Sequence, residues 1–185
     1  MGKQFKQLED RHKKFISDQK IFFVSTAAKD GKINLSPKGM DTFRVINANK
    51  VVWLNFTGSA NETAAHLFED GRITIMFCSF EQEPLILRLY GTGRTVHPRD
   101  ESWQELLKLF PHERGARQII SIDVDLVQSS CGYGVPFYEY KGERDRLLEW
   151  VDNKTDENIH KYWENNNTIS LDNRPTYILQ PPENS

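Results

Sequence analysis

Thr57-Gly-Ser-Ala-Asn-Glu-Thr63 is a run of small and hydroxyl residues between a strand-like stretch, Lys50-Val-Val-Trp-Leu-Asn-Phe56, and a helix-like stretch, Ala64-Ala-His-Leu-Phe68. Backbone N–H groups can converge on an anion in such a loop, and a helix N-terminus behind it adds unpaired donors and partial positive charge. The chemistry implied is phosphate binding. Ser59 and Glu62 also fit the S-x-x-E capping box, in which each side chain satisfies a backbone donor of the other residue. A capping box can equally do no more than start a helix, so the loop alone leaves both readings open.

Other reactive side chains carry less pattern. Cys78 and Cys131 are far apart and form no C-x-x-C pair, which points to reduced thiols. No histidine lies near Cys131 in sequence to serve as its base, so a packed thiol is expected there rather than a nucleophile. His12, His66, His97, His112 and His160 show no metal-ligand spacing, and a structural metal is not expected.

Composition sets the limits. The 185 residues, 38% of them hydrophobic, can bury one sizeable core, and no low-complexity stretch divides them, so a single domain over 1–185 is expected. Lys plus Arg number 24 against 26 Asp plus Glu, a net charge of −2 that offers no bulk field for nucleic acid. Any anion site must therefore be local. The charged start, Met1-Gly-Lys-Gln-Phe-Lys-Gln-Leu8, lacks the apolar centre of a signal peptide, and no apolar run is long enough to span a bilayer. A cytoplasmic protein with no membrane partner is the expectation.

The elements that must hold the loop read as mainly β with short helices. Phe5, Leu8, His12, Phe15 and Ile16 repeat at helical spacing, predicting an N-terminal helix within 1–19. Strands follow at 21–27 and 32–36 around an Asp30-Gly31 turn, with Pro37 and Gly39 leaving Lys38 at a strand end. Further strands are expected at 42–46, 51–55, 72–78, 85–96 and 118–127, with Gly71 as a helix C-cap. His97-Pro-Arg-Asp100 should open a helix carrying Trp103, Leu106, Leu107 and Phe110 on one apolar face. Six or seven sequential antiparallel strands close best into a small barrel over 20–141, followed by a helical and extended tail over 142–185.

Along this barrel the chain carries Phe23-Val-Ser-Thr26 with Asp30-Gly31, then Asn34-Leu-Ser-Pro-Lys-Gly39. Trp53-Leu-Asn55 with Ser59-Ala-Asn61 and Leu87-Arg-Leu-Tyr-Gly91 complete the series. Their order and spacing resemble the pyridoxamine 5′-phosphate oxidase-like, FMN-binding split-barrel family. The resemblance implies a homodimeric antiparallel split β-barrel of six or seven strands that holds FMN in clefts between subunits. Ser36, Pro37, Lys38 and Gly39 would then lie beside the flavin or its phosphate, while Trp53, Asn55, Thr57, Ser59, Asn61 and Thr63 would flank the ring and ribityl phosphate. A lysine suits a phosphate dianion as a point cation, although a solvated turn lysine is the alternative for Lys38. Arg88 sits where the family brings a basic group to the cofactor; its residue context equally allows an ion pair with Glu81 or Glu83.

Gln128-Ser-Ser-Cys-Gly-Tyr-Gly-Val-Pro-Phe-Tyr-Glu-Tyr140 is similar to the C-terminal signature of one branch of the family. By that likeness Ser130, Cys131, Gly132 and Tyr133 would reach the cofactor bound mainly by the partner chain. Interface packing is the alternative for Tyr133, Phe137, Tyr138 and Tyr140. The segment Asn165 to Asp172 with Pro175 resembles a stretch that completes the fold or dimer in the same branch. One departure stands out: vitamin B6 oxidases of the family end in an Arg-Leu-His segment, and the nearest counterpart here, Arg146-Leu147-Leu148, lacks the histidine. The implied function is thus an FMN-dependent oxidoreductase on an unidentified small molecule, with NADH or NADPH as candidate electron donors. The alternatives are a non-catalytic flavin or small-ligand module and, against the charge balance, an OB-like barrel for single-stranded nucleic acid.

Overall fold

The computed structural model describes residues 2–111 and 114–182, so His112 lies outside the described residues. One antiparallel sheet organises the chain. Its strands are β1 (Lys3–Phe5), β2 (Phe22–Thr26), β3 (Asn34–Lys38), β4 (Phe43–Asn47), β5 (Lys50–Phe56), β6 (Arg72–Cys78), β7 (Leu85–Val96) and β8 (Ala116–Cys131). They run in the order β3-β2-β6-β7-β8-β5-β4, with β1 paired to β8, which makes eight strands where six or seven were expected. The extra one is β1: Lys3 to Phe5 add to the edge of β8 opposite Ser129 to Val127 and are not helical. Phe5 still meets His12, ring to ring at 4.7 Å, so the apolar spacing was real but spans a strand and a helix.

The sheet curls on itself without hydrogen-bonded closure between its end strands β3 and β4. What joins the ends is aromatic packing, with Phe43 of β4 lying 5.1 Å from both Phe22 of β2 and Phe77 of β6. These rings, Trp53 and the buried aliphatics Val24, Ile75, Leu87, Leu89, Ile120 and Ile122 form the barrel interior. A second cluster lies on the other face of β5, where Val52, Leu54 and Phe56 meet Trp103, Leu107 and Phe110. The apolar stripe predicted there is therefore core, although the helix itself, α3 (Trp103–Leu107), is shorter and starts later than His97.

The remaining helices are α1 (Asp10–Asp18), α2 (Glu62–Glu69), α4 (Arg146–Asp152) and α5 (Asp156–Asn166). Gly71 does not cap α2 in a left-handed conformation; an added Cβ would lie 2.7 Å from Thr92 Cγ2, so glycine there serves the close approach of β6 to β7. Gly31, at φ 88°, occupies the β2–β3 hairpin turn as the Asp-Gly signal predicts. No described helix is long and apolar enough to cross a membrane.

Candidate functional site

The inward face of β3 presents Asn34, Ser36 and Lys38, each opposite an inward residue of β2: Thr26, Val24 and Phe22. Period-two alternation puts the three polar residues on one side and Leu35 and Pro37 on the other. Lys38 ends the strand. Its ammonium lies 5.7 Å from the centre of the Trp53 ring across the split in the barrel, and no carboxylate pairs with it among the described residues. Burial, helped by the positive charge of Arg117, lowers its pKa to about 8.

The turn after Lys38 is strained. Met40 and Asp41 both have positive φ, 62° and 52°, a region costly for residues with a Cβ. The turn is held by Thr42 Oγ1 donating to the Gly39 carbonyl at 2.7 Å and by both Arg44 Nη groups donating to the Asp41 carboxylate at 2.7 and 2.9 Å. Pro37, Lys38 and Gly39 line a cleft of about 890 Å³ whose far wall is the segment from Tyr138 to Leu147, including Arg144 and Arg146. Phe80 and Tyr138 pack together there at 5.3 Å.

Arg117, which sequence reading passed over, enters from β8. It is almost fully buried; Nη1 and Nη2 donate to the carbonyls of Gly58 and Ala60 at 3.3 and 2.6 Å. Burial lowers even this guanidinium's pKa to about 10, with Tyr162 partly opposing. Arg117 Nε and Trp53 Nε1 are buried donors with no acceptor among the described residues.

The side chains and carbonyls of the 57–63 loop are engaged by the rest of the chain. Thr57 donates from both N and Oγ1 to the Gly115 carbonyl at 2.8 Å and accepts from Trp163 Nε1 at 2.9 Å. Asn167 of the tail donates to the Gly58 carbonyl at 2.9 Å, and Asn61 Nδ2 donates back to the Asn167 carbonyl at 3.2 Å. The Ser59–Glu62 capping box does not form. Helix α2 starts at Glu62 with Asn61 as N-cap, Ser59 is exposed, and the Glu62 carboxylate accepts from the Leu171 N–H at 3.1 Å. Thr63 is drawn to the sheet, accepting from Asn34 Nδ2 at 3.1 Å. The same amide reaches Thr26 Oγ1, which meets His66 Nδ1 at 3.1 Å.

Asn55 is buried on the inner face of β5 and donates to Gln118 Oε1 at 3.3 Å, while Gln118 Nε2 faces His97 Nε2 at 3.3 Å. The amide orientation makes His97 the acceptor and therefore neutral, and burial lowers its pKa to about 4.

Arg88 and Ser130 stand apart from this group. Leu87 and Leu89 point into the barrel, which turns Arg88 outward, where Nη1 donates to Ser130 Oγ at 3.1 Å and not to Glu81 or Glu83. Gly132 is buried against the start of β7; an added Cβ would lie 2.9 Å from Leu85 N, so its close backbone approach is to its own chain. Cys131, expected to be packed, is exposed at the last position of β8, where it pairs with Leu85 at the start of β7. Cys78 is the buried thiol, and burial raises its pKa. Tyr133 is 83% exposed.

A family model described as pyridoxamine 5′-phosphate oxidase matches residues 8–131, from the entry to α1 through the end of β8. The chain belongs to that family. A pyridoxamine 5′-phosphate oxidase family protein of Aspergillus flavus, ustO, is 40% identical over 140 residues, covering 73% of this chain and 56% of the relative. The chain thus spans about half the length of that curated relative. HupZ of Group A Streptococcus has a similar fold, with a TM-score of 0.53 and 19% identity over 64% of this chain and 91% of that one. A pyridoxamine 5′-phosphate oxidase-like structure from Lactobacillus delbrueckii has a TM-score of 0.52 at 14% identity, covering 66% and 94%. The family's split barrel is accordingly the fold of residues 8–131, and the tail contacts lie outside the matched region.

Proposed function

We propose that the protein binds FMN and acts, as a homodimer, as an FMN-dependent oxidoreductase on a small molecule. The observation that carries this reading is Lys38: a half-buried cation with no carboxylate partner among the described residues, over an aromatic ring, at the mouth of a cleft in a chain of this family. An uncompensated buried charge is unfavourable by itself, and the Trp53 ring that Lys38 lies over carries a buried N–H with no acceptor among the described residues. Lys38 fits an anionic group.

Bound flavin would supply an acceptor for electrons or hydride. The chain's own residues would bind and exclude water. Lys38 supplies charge, the clamped Gly39–Asp41 turn keeps it from solvating outward, and the Phe80–Tyr138 wall narrows access from the cleft. The aromatic segment supports a second copy of the chain as cover, since Tyr133 and Phe137 are 83% and 70% exposed. Sedimentation at micromolar concentration is expected to show a dimer; a stable monomer would remove the subunit cleft from the account.

The activity is tested by anaerobic addition of NADH or NADPH to the FMN-loaded protein, followed at the flavin's visible absorbance. Bleaching at a rate well above that of free FMN is expected. Tight FMN binding without bleaching by either nucleotide would instead favour a non-catalytic flavin module.

A further inference from the structure

Residues 167–176, beyond the family-matched region, fold back along α2 as a small hairpin in which Ser170 N donates to the Arg174 carbonyl, Thr176 N to the Thr168 carbonyl, and Ile169 bridges Pro175. Its polarity is inverted. Asn167, Ser170 and Thr176 are buried, while Ile169 and Leu171 are 52% and 69% exposed. Hydrogen bonds and ion pairs, rather than apolar burial, hold the segment down, which is the signature of a locally weak element.

The same contacts take up polar groups of the 57–62 loop. Asn61 Nδ2 donates to the Asn167 carbonyl at 3.2 Å, Asn167 Nδ2 to the Gly58 carbonyl at 2.9 Å, and the Leu171 N–H to the Glu62 carboxylate at 3.1 Å. The fit is incomplete. Asn61 Oδ1 and Asn167 Oδ1 stay buried at this junction with no partner among the described residues, which is unfavourable. Asn173 and Tyr177 add backbone strain, at φ 59° and 53°. The far side is fastened by Arg174, which pairs with Glu69 of α2 and Asp30 of the β2–β3 turn, beside a Lys32–Asp172 pair.

We infer that residues 167–176 are an autoinhibitory latch: docked, they occupy the polar groups of the 57–62 loop, and released, they leave those groups to a ligand. Release is a local opening, because Trp163 of α5 stays bonded to Thr57 on one side and Arg99 holds the Tyr177 and Ile178 carbonyls on the other. That flavin is this ligand rests on the proposed function; the latch itself does not.

Hydrogen exchange of the full chain, read at Ser170, Leu171 and Thr176 in the segment and at Ile75, Leu89 and Ile120 in the barrel, tests the latch. Exchange in the segment is expected to be about 100-fold faster than in the barrel or more. Arg174→Gln should speed it about threefold or more with barrel exchange unchanged, and Arg174→Lys should keep part of the protection. Apparent affinity scales with the fraction of competent state, so FMN should bind Arg174→Gln more tightly by the same factor, and by reciprocity saturating FMN should speed segment exchange in the parent. Segment exchange no faster than that of the barrel, or a loss of protection in Arg174→Gln shared equally by the barrel, would overturn the latch. Faster segment exchange with unchanged or weaker FMN binding would overturn the autoinhibition and leave the flavin reading standing. If neither protein binds FMN, the flavin reading fails, and faster exchange confined to the segment still upholds the latch.

Discussion

Gly91→Ala is expected to destabilise the fold by about 4 kcal/mol or more, or to abolish folding. Gly91 sits where the register between β7 and β8 shifts, next to Tyr90. A Cβ added there would lie 2.1 Å from the Asp123 carbonyl oxygen and 3.0 Å from Val124 Cα. Both neighbours are backbone of the strand at the centre of the sheet, so neither can swing aside as a side chain would, and relief requires moving β7 off β8. Gly134→Ala is the control, since nothing lies within 4 Å of its added Cβ. Urea unfolding of both variants measures the difference; a Gly91→Ala protein within about 1 kcal/mol of the parent, a shift typical of surface substitutions, would show that the bulge is not the close crossing described.

Acid sensitivity should follow from His97. Its pKa is about 4 in the fold against an ordinary value of 6.5, because burial disfavours the imidazolium, Arg99 adds to this and Asp100 opposes it. The unfolded chain therefore binds a proton that the folded chain refuses between those two values. Stability falls as pH drops through that window and levels off below about pH 4, a loss on the order of 3 kcal/mol at most. Protonation would also set an N–H of His97 against the donating amide of Gln118 and break the chain of bonds to Asn55. Asp10, Glu69, Asp70 and Asp172, whose pKa values are lowered by basic neighbours, also lose stabilisation in acid, so the parent alone cannot isolate His97. His97→Gln, which keeps an acceptor for Gln118 and does not titrate, should show a shallower stability loss from pH 7 to pH 4. Identical slopes for the two proteins would contradict a neutral buried His97.

Much of the barrel was legible because strands announce themselves locally. The Asp30-Gly31 turn and the strands at 73–77 and 85–89 correspond to elements of the fold, and Ile73, Ile75, Phe77, Leu87, Leu89, Trp103, Leu107 and Phe110 are buried as their spacing implies. Lys3–Phe5 was misread because its pairing partner, Val127–Ser129, is more than a hundred residues away, and no local period records such a contact. The partners of the Thr57–Thr63 loop were missed for the same reason. Its composition suits an anion, yet Trp163, Asn167 and Leu171 use its polar groups, and those partners come from beyond residue 160.

Lys38 was singled out from its motif, whereas Arg117 was not, since an arginine beginning an apolar strand looks like an exposed edge residue. Only the fold shows that β8 starts beneath the 58–60 carbonyls. Arg88 and Ser130 were both singled out in sequence, but strand alternation places them on the outer face of the sheet, away from Lys38.

The measurement that tests the account most directly is the dissociation constant of FMN, with riboflavin as control, at pH 7 and at pH 9. Lys38 loses its proton at about pH 8. The charged groups around it are Arg117 on β8 and, along the cleft, Lys20, Glu81, Glu139, Glu143, Arg144 and Arg146, with Asp18 at its edge. The account predicts that FMN binds at pH 7 more tightly than riboflavin and loses most of that advantage at pH 9, while riboflavin, which shares the ring and its titrations, changes little. No FMN binding at either pH, or an FMN advantage undiminished at pH 9, would contradict it.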